Sequence, residues 1–418
     1  MTTVPSLNRA AERTPPLLAA FQAARRLDPY PAYHAIRESD PLPGAEVAGR
    51  RITLVTRHSD AAVVLQSPAF GHGYRENISP FRPAGDPDDG LESLLRTDPP
   101  DHTRLRRLVS GTFTPTALTA LAPEITAYAS TLLDAALAAG EIDAVTALAA
   151  PVPMRMICRL LGVPASDETA FGEWAAILIR CIDPDFLLTP DDIAQRRWAA
   201  RELDDYFRDL IARVRADPGD DLLSQLVATH LEAGALTGSE VLALCAVLLV
   251  AGHETTVNLL AGGILALARH PKAAALARAE PGLVPAAVEE MLRHDSPVQF
   301  IPRTALRDIE VGGYEFRRGE GALVLVGSAN RDPDVFDEPD RFLVTRYAGA
   351  TPAARHFSFG MGIHYCLGAP LARMEATIIF RLLLDRTSDI ELTEEPAYRD
   401  QSVIRGPRAL SVRLVPRR

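Results

Sequence analysis

A chain of 418 residues with 47% hydrophobic and 23% charged side chains has enough apolar material for a substantial buried core. Its formal net charge of −10 argues against a general nucleic-acid binder, which needs a basic surface for phosphate contacts. The four cysteines, Cys158, Cys181, Cys245 and Cys366, are too few and too scattered for a disulfide framework or a CxxC metal site.

The opening MTTVPSLNRAAERTPP has neither an apolar core nor a cleavage pattern, which points to a cytoplasmic chain. Arg51 to Thr56 is strand-like, and Asp60 to Gln66 has helical spacing. Gly71 to Pro100 is rich in proline and glycine, and long loops of this kind are often functional. Helical patterns follow over 102–113, 115–139, 152–161, 168–182, 190–216 and 221–233.

The longest helix should start at the capping box Thr237-Gly-Ser-Glu240 and stop at His270, before Pro271. At about 33 residues it is well above the usual length, so it should cross the whole domain with its centre buried. Its apolar run from Val241 to Gly252 ends at His253 and Glu254, short of the roughly 18–20 residues a bilayer span needs. Helices at 272–279 and 283–294 follow it, then strand-like pieces at 301–305, 309–311 and 322–326. A proline-punctuated stretch, a helix from about 367 to 384 and a Pro/Gly-punctuated tail close the chain. The expected fold is mainly α with small β-sheets, in one domain over 1–418.

Cys366 lies in Phe357-SFGMGIHYCLGAPLARME, framed by Gly360, Gly362 and Gly368. Glycines there permit positive φ and close approach of the backbone to a flat ligand. A helix begins just after the sulfur, so free N–H groups and the helix dipole should favour a thiolate. A nucleotide turn is disfavoured, because GMGIHY lacks the third glycine of GxGxxG, while His364 leaves a catalytic thiol open.

Taken together, Phe359, Gly360, Gly362, His364, Cys366 and Gly368 read FGxGxHxCxG, which resembles the haem-binding loop (here 357–368) of the cytochrome P-450 family. Two further motifs carry the same resemblance. Ala251-Gly-His-Glu-Thr-Thr256 resembles the family's oxygen-binding kink, with Gly252 loosening the helix and Glu254 and Thr255 as an acid–alcohol pair for proton relay. A zinc reading of His253-Glu254 fails, because Val257 stands where HExxH needs histidine. Glu290-Met-Leu-Arg293 resembles the structural ExxR pair, with Arg341 expected to complete its network and Arg346 as the alternative.

The resemblance implies haem b with Cys366 as the iron ligand, whose electron push toward O–O cleavage is known family chemistry. It implies haem contacts from His102, Arg106, Ala251, Arg303, Phe359, His364 and Gly368, and a long helix at 237–270 crossing over the haem. The implied reaction is hydroxylation or epoxidation of a hydrophobic small molecule, a secondary-metabolite intermediate either free or bound to a carrier protein. Electrons would come from NAD(P)H through a ferredoxin reductase and a ferredoxin. Arg104, Arg107 and Arg373 are candidates for the docking patch, and a soluble monomer is expected. Pocket candidates are the 71–97 loop with Phe81, then Val247, Val250, Ala251, Phe300, Ile301, Val403 and Ile404. The rival activities are a peroxide-driven peroxygenase and a non-catalytic haem sensor, neither of which needs Glu254 and Thr255.

Overall fold

The computed structural model describes residues 15–39, 42–47, 49–81, 94–180, 182–183 and 187–417; Cys181 and residues 82–93 of the 71–97 loop lie outside these. Five helices build the site: α1 (His58–Gln66), α2 (Asp101–Val109), α3 (Gly238–Arg269), α4 (Val284–His294) and α5 (Ala369–Arg386). The pattern over 115–139 divides into Pro115–Thr119 and Ala122–Ala139. Pro123 has no N–H for a continuous ladder and sits instead in the first turn of the second helix.

Helix α3 has 32 residues and the expected capping box: Thr237 Oγ1 accepts from the Glu240 amide at 3.2 Å, and the Glu240 carboxylate accepts from the Thr237 amide at 2.8 Å. By length and composition it is able to cross a membrane, which corrects the reading from the Val241–Gly252 run alone. Its surroundings account for the apolarity differently. Val257, Leu259, Leu260, Ala261 and Ile264 are buried on successive sides, as in a core helix. It packs against Pro151–Leu160, Glu168–Arg180, Pro190–Ala216, α4 and α5.

Beside this helical mass lies a five-stranded sheet made of β1 (Gly44–Val47), β2 (Arg50–Val55), β3 (Phe70–Gly71), β4 (Phe300–Ala305) and β5 (Gly321–Leu325), in the order β1-β2-β5-β4-β3. Only β2 and β5 are parallel, Ile52 facing Gly321 and Val55 facing Val324. All five residues of β5 are buried, as a strand covered on both faces requires. The tail forms short strands at Ala397–Tyr398, Pro407–Ala409 and Ser411–Pro416, too brief and too interrupted to show a period in sequence.

Glu290 and Arg293 anchor the floor of the site, and both are fully buried. Arg293 donates to the two Glu290 oxygens at 2.7 and 2.9 Å and to the carbonyls of Asn330, Pro339 and Arg341. Glu290 also accepts from the Leu343 amide at 2.9 Å and from Arg346 Nε at 3.1 Å. Arg346, not Arg341, therefore completes the network. Arg341 turns only its carbonyl inward, while its side chain pairs with Glu338 at the surface. Glu338, three residues before Arg341, has a φ of +46°.

Candidate functional site

The Cys366 loop is fastened from below before it reaches the sulfur. Asn330 accepts from the Phe357 amide at 2.8 Å and donates to Ser358 Oγ at 3.0 Å, and Ser358 Oγ donates to the Leu292 carbonyl at 2.6 Å. The Cys366 amide closes the loop onto the Phe359 carbonyl at 2.9 Å. Gly362, at φ +73°, lies so close to α1 that a Cβ would come within 2.3 Å of the Leu65 carbonyl oxygen. Gly368 departs from expectation: its φ is −81°, so it serves no left-handed turn. A Cβ on it would meet nothing within 4 Å, leaving an open side next to the sulfur.

Cys158 and Cys245 are buried, and burial pushes their thiols up to about 12. Cys366 alone among the described cysteines is exposed. It is reached from one side and crowded by protein on the others, so burial raises its thiol above the ordinary value. The amides of Gly368 and Ala369, at the start of α5, and the charges of Arg106 and Arg373 pull the other way. The helix terminus thus acts in the expected direction but is outweighed. A coordinating metal ion deprotonates such a thiol outright.

Next to the loop is a cluster of arginines and histidines, several of whose ring nitrogens are buried without a partner among the described residues. Helix α2 carries His102 and Arg106 on one face; Arg106 donates to the Tyr365 carbonyl at 2.6 Å, and the His102 ring lies 4.1 Å from that of His364. Strand β4 contributes Arg303, buried and donating to the adjacent Pro302 carbonyl at 2.8 Å. Burial lowers Arg303 to about 10 and, together with the charge of Arg303, takes His364 down to about 2. His72, which the sequence reading overlooked, joins them from the end of β3; its one sequence signal was its place in Phe70-Gly-His-Gly73. Both His102 ring nitrogens and Nε2 of His72 and His364 have no hydrogen-bond partner among the described residues. A reachable thiol beside such a cluster fits haem, whose two propionates need cationic and N–H partners.

Across from the loop, Ala251 and Gly252 are exposed in the middle of an otherwise buried helix, with Val247, Val250 and Thr255 half-buried beside them. The helix is continuous through this stretch. Thr255 Oγ1 donates to the Ala251 carbonyl at 2.8 Å and Thr256 Oγ1 to the Gly252 carbonyl at 3.3 Å. Glu254 is buried with Arg399 of the tail at 2.9 Å. Burial raises its carboxyl above the usual range, while the Arg399 charge and the neighbouring Asn258 pull it down.

Strand alternation divides the other pocket candidates. Ile301 points toward Gly360 in the Cys366 loop, whereas Phe300 faces the opposite side and packs on Phe21 at 4.6 Å between ring centroids. Phe81 lies over Gly321 and, like Val403, packs against that same N-terminal core; Ile404 is buried in a bridge to Val298. Phe300 and Ile404 are thus buried, and Phe81 and Val403 are half-buried against the core. The docking candidates differ in their surroundings. Arg104 is engaged by Glu240 and the Ala235 carbonyl, and Arg373 by both Glu289 oxygens and the Tyr365 hydroxyl, leaving Arg107 exposed.

Comparison with known proteins agrees with this geometry. The family model described as Cytochrome P450 matches residues 11–394. Cytochrome P450 monooxygenase PikC of Streptomyces venezuelae is 40% identical over 92% of this chain and 91% of its own length. The 6-deoxyerythronolide B hydroxylase of Saccharopolyspora erythraea is 34% identical over 99% of this chain and 100% of its own. The ligand-free crystal structure of Mycobacterium smegmatis CYP164A2 superposes with a TM-score of 0.86 at 39% identity, covering 96% of this chain and 99% of that one. With a reachable cysteine on a glycine-framed loop, a buried cluster suited to propionates and relatives of this kind along nearly its whole length, the chain belongs to the cytochrome P450 family and is a haem b monooxygenase.

Proposed function

We propose that Cys366 is the iron ligand and that the enzyme hydroxylates or epoxidises a bulky hydrophobic secondary-metabolite intermediate with electrons delivered by a ferredoxin. The observation that carries the ligand assignment is the accessibility of Cys366 beside buried Arg303 and the ring nitrogens of His102 and His364 that have no hydrogen-bond partner among the described residues. Relatives named 6-deoxyerythronolide B hydroxylase and cyclomarin C epoxidase CymV support the choice of reactions and of substrate class. P450BioI, a structural neighbour solved in complex with an acyl carrier protein bearing hexadec-9Z-enoic acid, supports a carrier-bound substrate as the alternative to a free one.

Bound haem supplies the iron centre at which dioxygen is activated and one oxygen atom is inserted. His102, Arg106, Arg303 and His364 would hold its carboxylates. Phe359 and Gly368 would border it on the Cys366 side, and Ala251 on the side of α3. Val247, Val250 and Ile301 supply apolar surface that excludes water from the substrate. On the open face of α3, the Thr255 hydroxyl holds a proton donated for now to the Ala251 carbonyl, and Glu254 resupplies it from the interior.

The reduced, CO-bound protein should show the thiolate-type Soret band, and Cys366→Ala should abolish it. Persistence of that band in Cys366→Ala would remove the ligand assignment. Turnover supported by NADPH, reductase and ferredoxin, and not matched by peroxide alone, is expected of the monooxygenase. Thr255→Ala should consume electrons without a matching yield of product; unchanged coupling would refute the relay.

A further inference from the structure

His72, His102 and His364 form a row: the His72 ring stands edge-on to His364 at 4.8 Å, and His364 lies 4.1 Å from His102. His72 is 6% exposed, and its Nε2 has no hydrogen-bond partner among the described residues. An unanswered buried donor or acceptor costs roughly 1–3 kcal/mol, so a row of them calls for an explanation. Packing does not supply one, since an apolar side chain of similar size would fill the same space without that cost.

The surroundings specify what would answer it. Arg303, Arg96 and the two other histidines all depress the His72 imidazole, after burial itself. A site flanked by guanidinium groups repels a cation, and no group of three or more potential metal ligands converges among the described residues. The acidic group facing the row is Asp98, and its oxygens are taken by backbone: they accept from the His72 amide at 2.8 and 3.0 Å and from the Gly73 amide at 2.8 Å. The His72 carbonyl in turn accepts from Thr304 Oγ1 at 2.9 Å. The loop is therefore pinned on both sides, with its imidazole held in the row and its Asp98 anchor four residues before His102.

We propose that His72 is a third histidine of the haem clamp, binding a propionate carboxylate alongside His102 and His364. The inference rests on haem being bound against the Cys366 loop. It assigns the His72–Gly73 segment just after β3 a part in holding the cofactor.

The test compares haem b with its dimethyl ester, in which the carboxylates are masked, in wild-type holoprotein and in His72→Phe. Transfer of haem to excess apomyoglobin gives the rate of loss for each of the four combinations. His72→Phe should lose haem b roughly ten- to a hundredfold faster than wild type, the value of a hydrogen bond to a charged group. With the ester the two proteins should lose haem at rates within about twofold, as in a cycle whose coupling has been removed. Equal acceleration for both haems would show a packing role and overturn the proposal, as would unchanged loss of haem b. If His72→Phe fails to fold, His72→Leu carries the same comparison. The reduced CO spectrum of each holoprotein reports the iron ligand separately. Loss of the thiolate-type band in wild type would overturn Cys366 as ligand, while the ester comparison alone decides His72.

Discussion

Two buried glutamates, Glu290 and Glu254, each face an arginine, and they are built in opposite ways. Glu290 takes hydrogen bonds from Arg293, Arg346 and the Leu343 amide, and Arg293 spends its other donors on three carbonyls. Around Glu254 the ion pair with Arg399 is close at 2.9 Å but poorly aligned. Glu254 Oε1, Arg399 Nε, both Asn258 amide atoms and His253 Nδ1 make no well-formed hydrogen bond among the described residues. A saturated network in a low-dielectric interior is rigid, and a half-satisfied one is costly. A fold tolerates the second kind where a carboxyl has to change its protonation state. On the proposed relay, the contrast separates a structural clamp from a proton site.

The largest effect should come from breaking the saturated pair. Glu290→Gln or Arg293→Ala leaves an uncompensated buried charge, so a loss of about 3–5 kcal/mol is expected in denaturant titrations, with poor recovery of holoprotein. A loss under about 1 kcal/mol would put the pair on a par with a surface bridge. Glu375 isolates the desolvation that both networks must overcome. Buried in α5, its carboxyl is pushed up to about 8 by burial alone. A carboxyl raised in the folded state keeps its contribution below its ordinary value of 4.5 and loses it as the pH climbs through about 8. Denaturation midpoints should fall across that window and then level off, and Glu375→Gln should flatten the fall. A wild-type profile already flat there would refute the shift.

Next in size is the choice between arginines. Arg346→Ala removes a charged hydrogen bond to a buried carboxylate and should cost about 1.5–3 kcal/mol. Arg341→Ala removes an exposed pair with Glu338 and should cost at most about 1 kcal/mol. The reverse order would restore Arg341 to the network.

That choice shows where a sequence stops being legible. Arg341 and Arg346 lie in the same proline-punctuated stretch, where no helical or strand period says which side chain enters the core. Helix α3 was readable because both its capping box and its terminating proline are local signals. The Cys366 loop was readable for a similar reason, since its turns demand glycine at Gly360 and Gly362, both at positive φ. Phe300 and Ile301 were not distinguishable, because β4 is covered on both faces and alternation does not say which face meets the site. His72 was hidden for the opposite reason: its partners, His364 and Asp98, come from distant segments, so no spacing announces it.

The smallest change in stability should accompany the most specific change in behaviour. Arg399 lies on the tail beside Glu254 and holds its carboxyl below where burial alone would place it. Arg399→Gln removes that charge, so Glu254 should bind its proton more tightly. The acid stays buried but neutral, which limits the loss in denaturation to about 1 kcal/mol or less, within reach of many single substitutions. The pH dependence of coupled turnover is the sharper reading. Its Glu254 limb should move to higher pH in Arg399→Gln and vanish in Glu254→Gln, while the reduced CO spectrum stays that of wild type. If Arg399→Gln instead destabilised the protein by several kcal/mol and left the pH profile in place, Glu254 and Arg399 would be a second structural clamp, and the contrast with Glu290 and Arg293 would be lost.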